Sequence, residues 1–414
     1  MNAPQSAGIA VLHHPERHEA LRGGPWDAAQ AHAALACIVA DVEARRLAPA
    51  HWPVHPLDDD GRAPPSGYKS IYLGAAGVLW TLWHLQQQGA VVLQRDPCED
   101  LAAMDAAYRA EPDDGVVIPS HYLGEVGILL VMWRLRPSAD VADRLFAAVQ
   151  SNIEHPSNEA LWAAPGTMLA AWHVWRATGE VRWRELVRSN IEQLWRTWQP
   201  DQAHHGPLWT QLISGTTVQY LGAGHGYAGN LCSLLKTAEL LDAPRRAQFH
   251  ARCAHTLQAW ARCDESGAVN WPTGTYQPRP DGPQMLMQWC HGAPGIVTAL
   301  ADFAPQLSPE IDAMLLAAGQ AIWQAGPLTK GPGLCHGTAG NAAALLVLYR
   351  RSGDALWLDR ARALAMHAIT QSTAARAAHG QGRYSVWTGD PGVALVLWQC
   401  LQGTAGLPLL DLIG

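Results

Sequence analysis

Cys290 and Cys335 each open the same tripeptide, in Trp289-Cys290-His291-Gly292 and Leu334-Cys335-His336-Gly337. Zinc accepts thiolate and imidazole at tetrahedral corners, and two cysteines with one histidine leave the fourth corner open, the pattern of a catalytic site. An isolated cysteine is ordinarily a small buried hydrophobe. Two copies of one tripeptide carry matched ligand chemistry instead and point to one Zn²⁺ per chain. A single imidazole completes the set, and spacing leaves His291 and His336 as alternatives. The other six cysteines, Cys37, Cys98, Cys232, Cys253, Cys263 and Cys400, have no equivalent position and read as free thiols. A thiol with a pKa of about 8.5 is only slightly ionised at neutral pH, whereas coordination to zinc deprotonates it. The open corner would therefore ready a substrate sulfur for attack on an electron-poor alkene.

The two tripeptides must be brought side by side, and the chain repeats the means of doing so. A Gly-x-x-Gly-like element ends at Gly77, Gly127, Gly166, Gly229, Gly295, Gly340 and Gly392, at spacings of 39 to 66 residues, enough for two helices each. Apolar stretches of helical length follow, such as those from Val78, Ile128, Thr167 and Val393. Amphipathic, Ala- and Arg-rich segments alternate with them, as from Val141, Val181 and Asp354. Buried and amphipathic helices in alternation predict an all-α fold, an α/α toroid of seven inner and seven outer helices. All seven glycine loops then lie at one end, with Cys290 and Cys335 two residues before the first glycine of theirs. The expected organisation is one domain over residues 1–414, with 1–25 an N-terminal extension of little order.

Composition narrows the function. The formal charge is −7 with no Lys/Arg block, which argues against a nucleic-acid partner. No run of eighteen apolar residues and no signal-like start occurs, so neither a membrane span nor export is expected, and the cytoplasm is the expected compartment. Hydrophobic residues reach 48%, with 19 Trp against 3 Phe, which suits a large core and lined cavities. Trp80, Trp133, Trp172 and Trp398 recur at similar helix positions and read as core. The pairs His13–His14 and His204–His205 lack matching ligands and read as solvated loops.

WCHGAPG from Trp289 and GLCHGTAGN from Gly333 resemble the signature of the lanthionine synthetase C-like (LanC-like) family. SIYLGAAG from Ser70, GAGHGYAG from Gly222 and Asn270-Trp271-Pro272 resemble further family blocks, and the likeness runs from about Ser70 to Gly392. The resemblance implies an α/α toroid with zinc held by Cys290, Cys335 and His336. The block from Ser157 places an acidic residue at Glu159, but Ala163 stands where the family has glycine. Members devoted to bacterial lantibiotics often carry Tyr after the first zinc cysteine, and His291 looks more like the eukaryotic-type branch, which is associated with glutathione.

The chemistry so implied is Michael-type addition of a peptide cysteine or glutathione to dehydroalanine or dehydrobutyrine, giving a lanthionine-type thioether. The partners would be a dehydrated peptide, glutathione or both, with a separate dehydratase to make the alkene. Addition leaves an enolate to protonate, and His225 of Gly224-His225-Gly226 is the candidate acid. Glu159 is expected to orient His225 or a cationic substrate group, and His291 to relay a proton beside the metal. Prenyl transfer and glycoside hydrolysis also occur on α/α barrels. The former would recruit a carboxylate ligand and the latter paired acids, for which the loops offer only Glu125, Glu159 and Asp390. The non-enzymatic alternative is a zinc- and glutathione-binding sensor or adaptor.

Overall fold

The computed structural model describes residues 11–48, 50–199, 206–275 and 284–413. Seven helices follow the glycine loops: α2 (Ala75–Gln87), α4 (Glu125–Leu135), α6 (Ala164–Thr178), α8 (Tyr227–Lys236), α10 (Ala293–Ala299), α12 (Thr338–Ser352) and α14 (Asp390–Gln402). Each packs on the next, and α14 packs back on α2, so the ring is closed. These helices are apolar all round and bury all round, as α12 does without interruption from Thr338 to Leu348.

The other seven helices lie outside the ring: α1 (Ala28–Ala44), α3 (Leu101–Ala110), α5 (Ala139–Ser151), α7 (Val181–Thr197), α9 (Ala243–Trp260), α11 (Pro309–Ala325) and α13 (Ala355–His379). Their burial is one-sided. In α7 it falls on Trp183, Leu186, Val187, Asn190, Ile191 and Leu194, the three- and four-residue spacing of a covering helix. The outer helix of the last pair comes from the start of the chain, where α1 covers α14. The architecture is the α/α toroid, with seven helices in each layer.

One steric device recurs at every loop. A Cβ added to the second glycine of each motif would sit 1.9–2.4 Å from the carbonyl oxygen six residues earlier, as with Gly340 against Leu334 and Gly127 against His121. Only a residue without a side chain lets the loop fold back so closely onto the first helical turn. The first glycine is less uniform. Gly226 and Gly292 take φ of +134° and +106°. Ala163 has φ −120°, extended backbone that any residue adopts, so alanine there costs the third loop nothing in backbone strain.

Two short hairpins depart from the all-α expectation: β1 (Gln211–Ile213) with β2 (Thr216–Val218), and β3 (Arg262–Cys263) with β4 (Val269–Asn270). Strands of two or three residues inside connections leave no periodicity to detect.

Residues 1–10 of the expected extension, and His204–His205, lie outside the described residues. Residues 11–25, by contrast, are tied to the barrel. The amide of buried Asn270 donates to Leu12 O (2.7 Å), Thr329 N donates to Arg17 O (3.0 Å), and the Glu19 carboxylate meets His367 Nε2 (3.0 Å) and Gln371 Nε2 (2.7 Å). The missing signal is polar: these links join positions hundreds of residues apart and carry no local pattern.

Gly340→Ala should lower stability by about 1–3 kcal/mol, the range of overpacked cores, since the intruded atom belongs to backbone. Gly89→Ala meets no atom within 4 Å and pays only for its positive φ, about 1 kcal/mol. Denaturant midpoints of the two variants check the contrast.

Candidate metal centre

The loops meet through residues of one register, each two positions before the first glycine of its motif, or before Ala163 in the third. Around the ring these are Tyr72, Tyr122, Leu161, Gly224, Cys290, Cys335 and Trp387. Gly224 N donates to Cys290 O, Cys290 N to Cys335 O, Cys335 N to Trp387 O, Trp387 N to Tyr72 O and Tyr72 N to Tyr122 O, at 2.7–3.4 Å. Ser120 Oγ donates to Leu161 O, joining the second loop to the third. The third and fourth are joined by side chains, His225 Nδ1 and Glu159 Oε2, 3.0 Å apart.

This rosette places Cys290 and Cys335 next to one another. Their sulfurs and one ring nitrogen of His336 all lie within 4.8 Å of each other. Cys335 Sγ stands 3.6 Å from His336 Nε2. Zinc with arms of about 2.3 Å to sulfur and about 2.0 Å to nitrogen needs tetrahedral edges of roughly 3.4–3.8 Å, so the donor set fits that ion with small adjustment. Both cysteines are buried and His336 is half-buried, which leaves access from the loop end.

Burial opposes charge on both sulfurs. At Cys290 the Cys335 thiol's hydrogen bond and the nearby His291 and His336 outweigh it and hold the group well below the ordinary thiol value. Cys335 is pushed well above by burial and by the Cys290 charge. A residue absent from the sequence-based candidates touches one of these sulfurs: Gln288 Nε2 donates to Cys290 Sγ at 3.0 Å. Below them Trp289 and Trp387 stand 4.3 Å apart between ring centroids, with Tyr122 edge-on to Trp387 at 5.3 Å, an aromatic floor at the sulfur end of the barrel.

Glu159 is wholly buried and fixed from beneath. Its Oε1 accepts from Trp162 N (2.8 Å) and its Oε2 from Leu161 N (3.0 Å), so the carboxylate caps the turn that enters α6. That leaves Oε2 facing His225, whose side chain is partly exposed. Burial lowers the His225 pKa, and the Glu159 hydrogen bond and charge more than restore it, so the imidazole is raised above its usual value. His291 lies between the two groups, its ring 6.2 Å from that of His225. Burial lowers its pKa, and its buried Nδ1 has no hydrogen-bond partner among the described residues.

A cavity of about 240 Å³ opens beside the loop leading to Cys335, lined in part by Glu19, Lys330, Arg376, Arg383 and Asp390. Arg376 is paired with Asp390 and Arg383 with Asp58. Lys330 is exposed and lies close enough to act on the charge of Cys335. Among the described residues no helix is long and apolar enough to cross a membrane.

A family model described as "Lanthionine synthetase C-like protein" matches residues 65–408. Over 148 residues the chain is 34% identical to "Glutathione S-transferase LANCL1" of Danio rerio, covering 34% of this chain and 34% of that protein. Over 152 residues it is 34% identical to "LanC-like protein GCL1" of Arabidopsis thaliana, covering 36% and 33%. Each match thus spans about a third of the curated relative. Among solved structures "Nisin cyclase" shares the fold, with TM-score 0.59 and 14% identity over 80% of this chain and 88% of that one.

The raised His225 value depends chiefly on Glu159, so Glu159→Gln should drop the imidazole below the ordinary 6.5, since burial is then opposed by the Cys290 charge alone. NMR titration of the His225 ring reads this directly. By linkage, the pair's contribution to stability is complete below about pH 6.5 and fades as pH rises through the folded value.

Proposed function

The chain belongs to the lanthionine synthetase C-like family, and from that premise we propose that it joins a thiol to a dehydroamino acid through a zinc-dependent Michael-type addition. What carries the reading is the meeting, at one end of the barrel, of a Cys290/Cys335/His336 donor set with a carboxylate-supported histidine on a neighbouring loop. Zinc bound at the three donors would keep the incoming thiol as its thiolate at neutral pH.

The rest of the reaction falls to the protein. The sulfur attacks the β-carbon of dehydroalanine or dehydrobutyrine, a C–S bond forms, and the alkene electrons move onto the carbonyl as an enolate. His225, held protonated by Glu159 through Nδ1, gives its Nε2 proton to the α-carbon. The imidazolium, steadied by its contact with Glu159, forms again with a proton from water. Two backbone donors fix the Glu159 carboxylate, which fixes the ring, and orientation is thereby supplied before substrate arrives. His291, neutral through burial, would pass a proton between His225 and the sulfur end of the site.

The cavity at Lys330 and Arg376 bears on which thiol is used. Lys330, without an ion-pair partner among the described residues, suits a small thiol carrying carboxylates, and glutathione is of that kind. One relative is named for glutathione S-transfer and a structural neighbour for nisin cyclisation; on this reading the bond is made between molecules or within one. In either case the alkene enters the site ready-made, as substrate.

The test is to incubate zinc-loaded protein with glutathione and a dehydroalanine peptide and to weigh the products. A peptide heavier by one glutathione is expected, and bound but unconverted glutathione would make this a sensor instead. His225→Asn should keep its zinc and its thiol binding while slowing the addition by about 10²–10⁴-fold, the range for a lost general acid. An unchanged rate would move the proton transfer to His291 or to water.

A further inference from the structure

A site that readies one sulfur for attack on an alkene holds two sulfurs of its own within reach of the same alkene. Cys290 or Cys335 could add to it in the same way. The Sγ would bond to the β-carbon, the alkene electrons would pass to the α-carbon, and that carbon would take a proton from water. The product is a neutral thioether on the protein and the loss of one zinc ligand.

Cys290 faces a donor from outside the ligand set. Gln288 Nε2 is 3.0 Å from Cys290 Sγ. A thiolate only accepts, so the amide must present its nitrogen. Gln288 is buried, and the turn around Cys290 is clamped by two backbone hydrogen bonds, Gln288 N to His291 O and His291 N to Gln288 O, both 3.2 Å. Gln288 does not belong to the proton-transfer pair, and an amide is not among the usual zinc ligands.

We propose that Gln288 is a positioning residue that draws charge from Cys290, so that the incoming thiol adds to the alkene ahead of this ligand sulfur. A hydrogen bond to an anionic acceptor stabilises its lone pair and slows its attack, and outer partners of metal ligands commonly tune the site by such bonds. The proposal rests on the thiol-addition reading above and concerns the selectivity of that site.

The experiment uses full-length zinc-loaded protein, without added thiol, exposed to N-acetyldehydroalanine methyl ester. Adducts at Cys290 and Cys335 are followed separately by peptide mass spectrometry, with zinc content measured alongside. Gln288→Leu should raise the adduct rate at Cys290 about tenfold and leave Cys335 as it was, the scale on which a lost outer partner acts. Gln288→Met, closer to the amide in length and unable to donate, should do the same, and decides if the leucine variant fails to fold. An unchanged rate at Cys290, or an equal rise at both sulfurs, would overturn the proposal. Glutathione addition by the unaltered protein is assayed beside it: its absence would sink the proposed function, whereas the adduct pattern judges the shielding alone.

Discussion

Everything in this molecule depends on seven loops meeting in one register. Each loop folds back until its second glycine lies against a carbonyl oxygen six residues earlier, closer than any side chain would allow. That contact sets the depth at which every inner helix begins. Once the depths agree, the residue two positions before the first glycine can bond its counterpart in the next loop, and the seven close into a rosette. The apolar inner helices supply the adhesion, but they would tolerate sliding; the glycine contact does not.

Chemistry has been written onto that register by substitution at equivalent positions. In four loops the position holds Tyr72, Tyr122, Leu161 or Trp387, and in two it holds Cys290 and Cys335, the sulfurs of the proposed metal site. Gly224 fills the same place in the fourth loop because a Cβ there would come 2.9 Å from that of Cys290. Its neighbour His225 reaches Glu159, and this joint of the ring is made from titratable side chains rather than main chain. The proposed proton-transfer pair and a structural joint are thus one object, and this joint is what the wholly buried Glu159 makes.

Much of this was legible beforehand. Seven glycine motifs, each feeding an apolar helix, lead to a closed double ring, and the repeated Cys-His-Gly leads to two sulfurs side by side. The same argument extended by one step would have found Tyr72 and Trp387, which share the cysteines' register but carry no ligand chemistry to draw attention. Gln288 was beyond reach, since a glutamine two residues from a cysteine signals nothing until a tight turn aims it at the sulfur. Ala163 looked like a defect of the third loop and is not one, because its φ of −120° asks for no glycine. The docking of residues 11–25 through Asn270 and Glu19 joins distant segments by polar contacts, which leave no trace in local periodicity.

The central claim, a zinc ion on Cys290, Cys335 and His336 with one corner kept for a substrate sulfur, is tested most directly by X-ray absorption at the zinc edge with and without glutathione. The account predicts two sulfur ligands in the free protein and three when glutathione is present, with the nitrogen retained. A sulfur count that stays at two in saturating glutathione would contradict it.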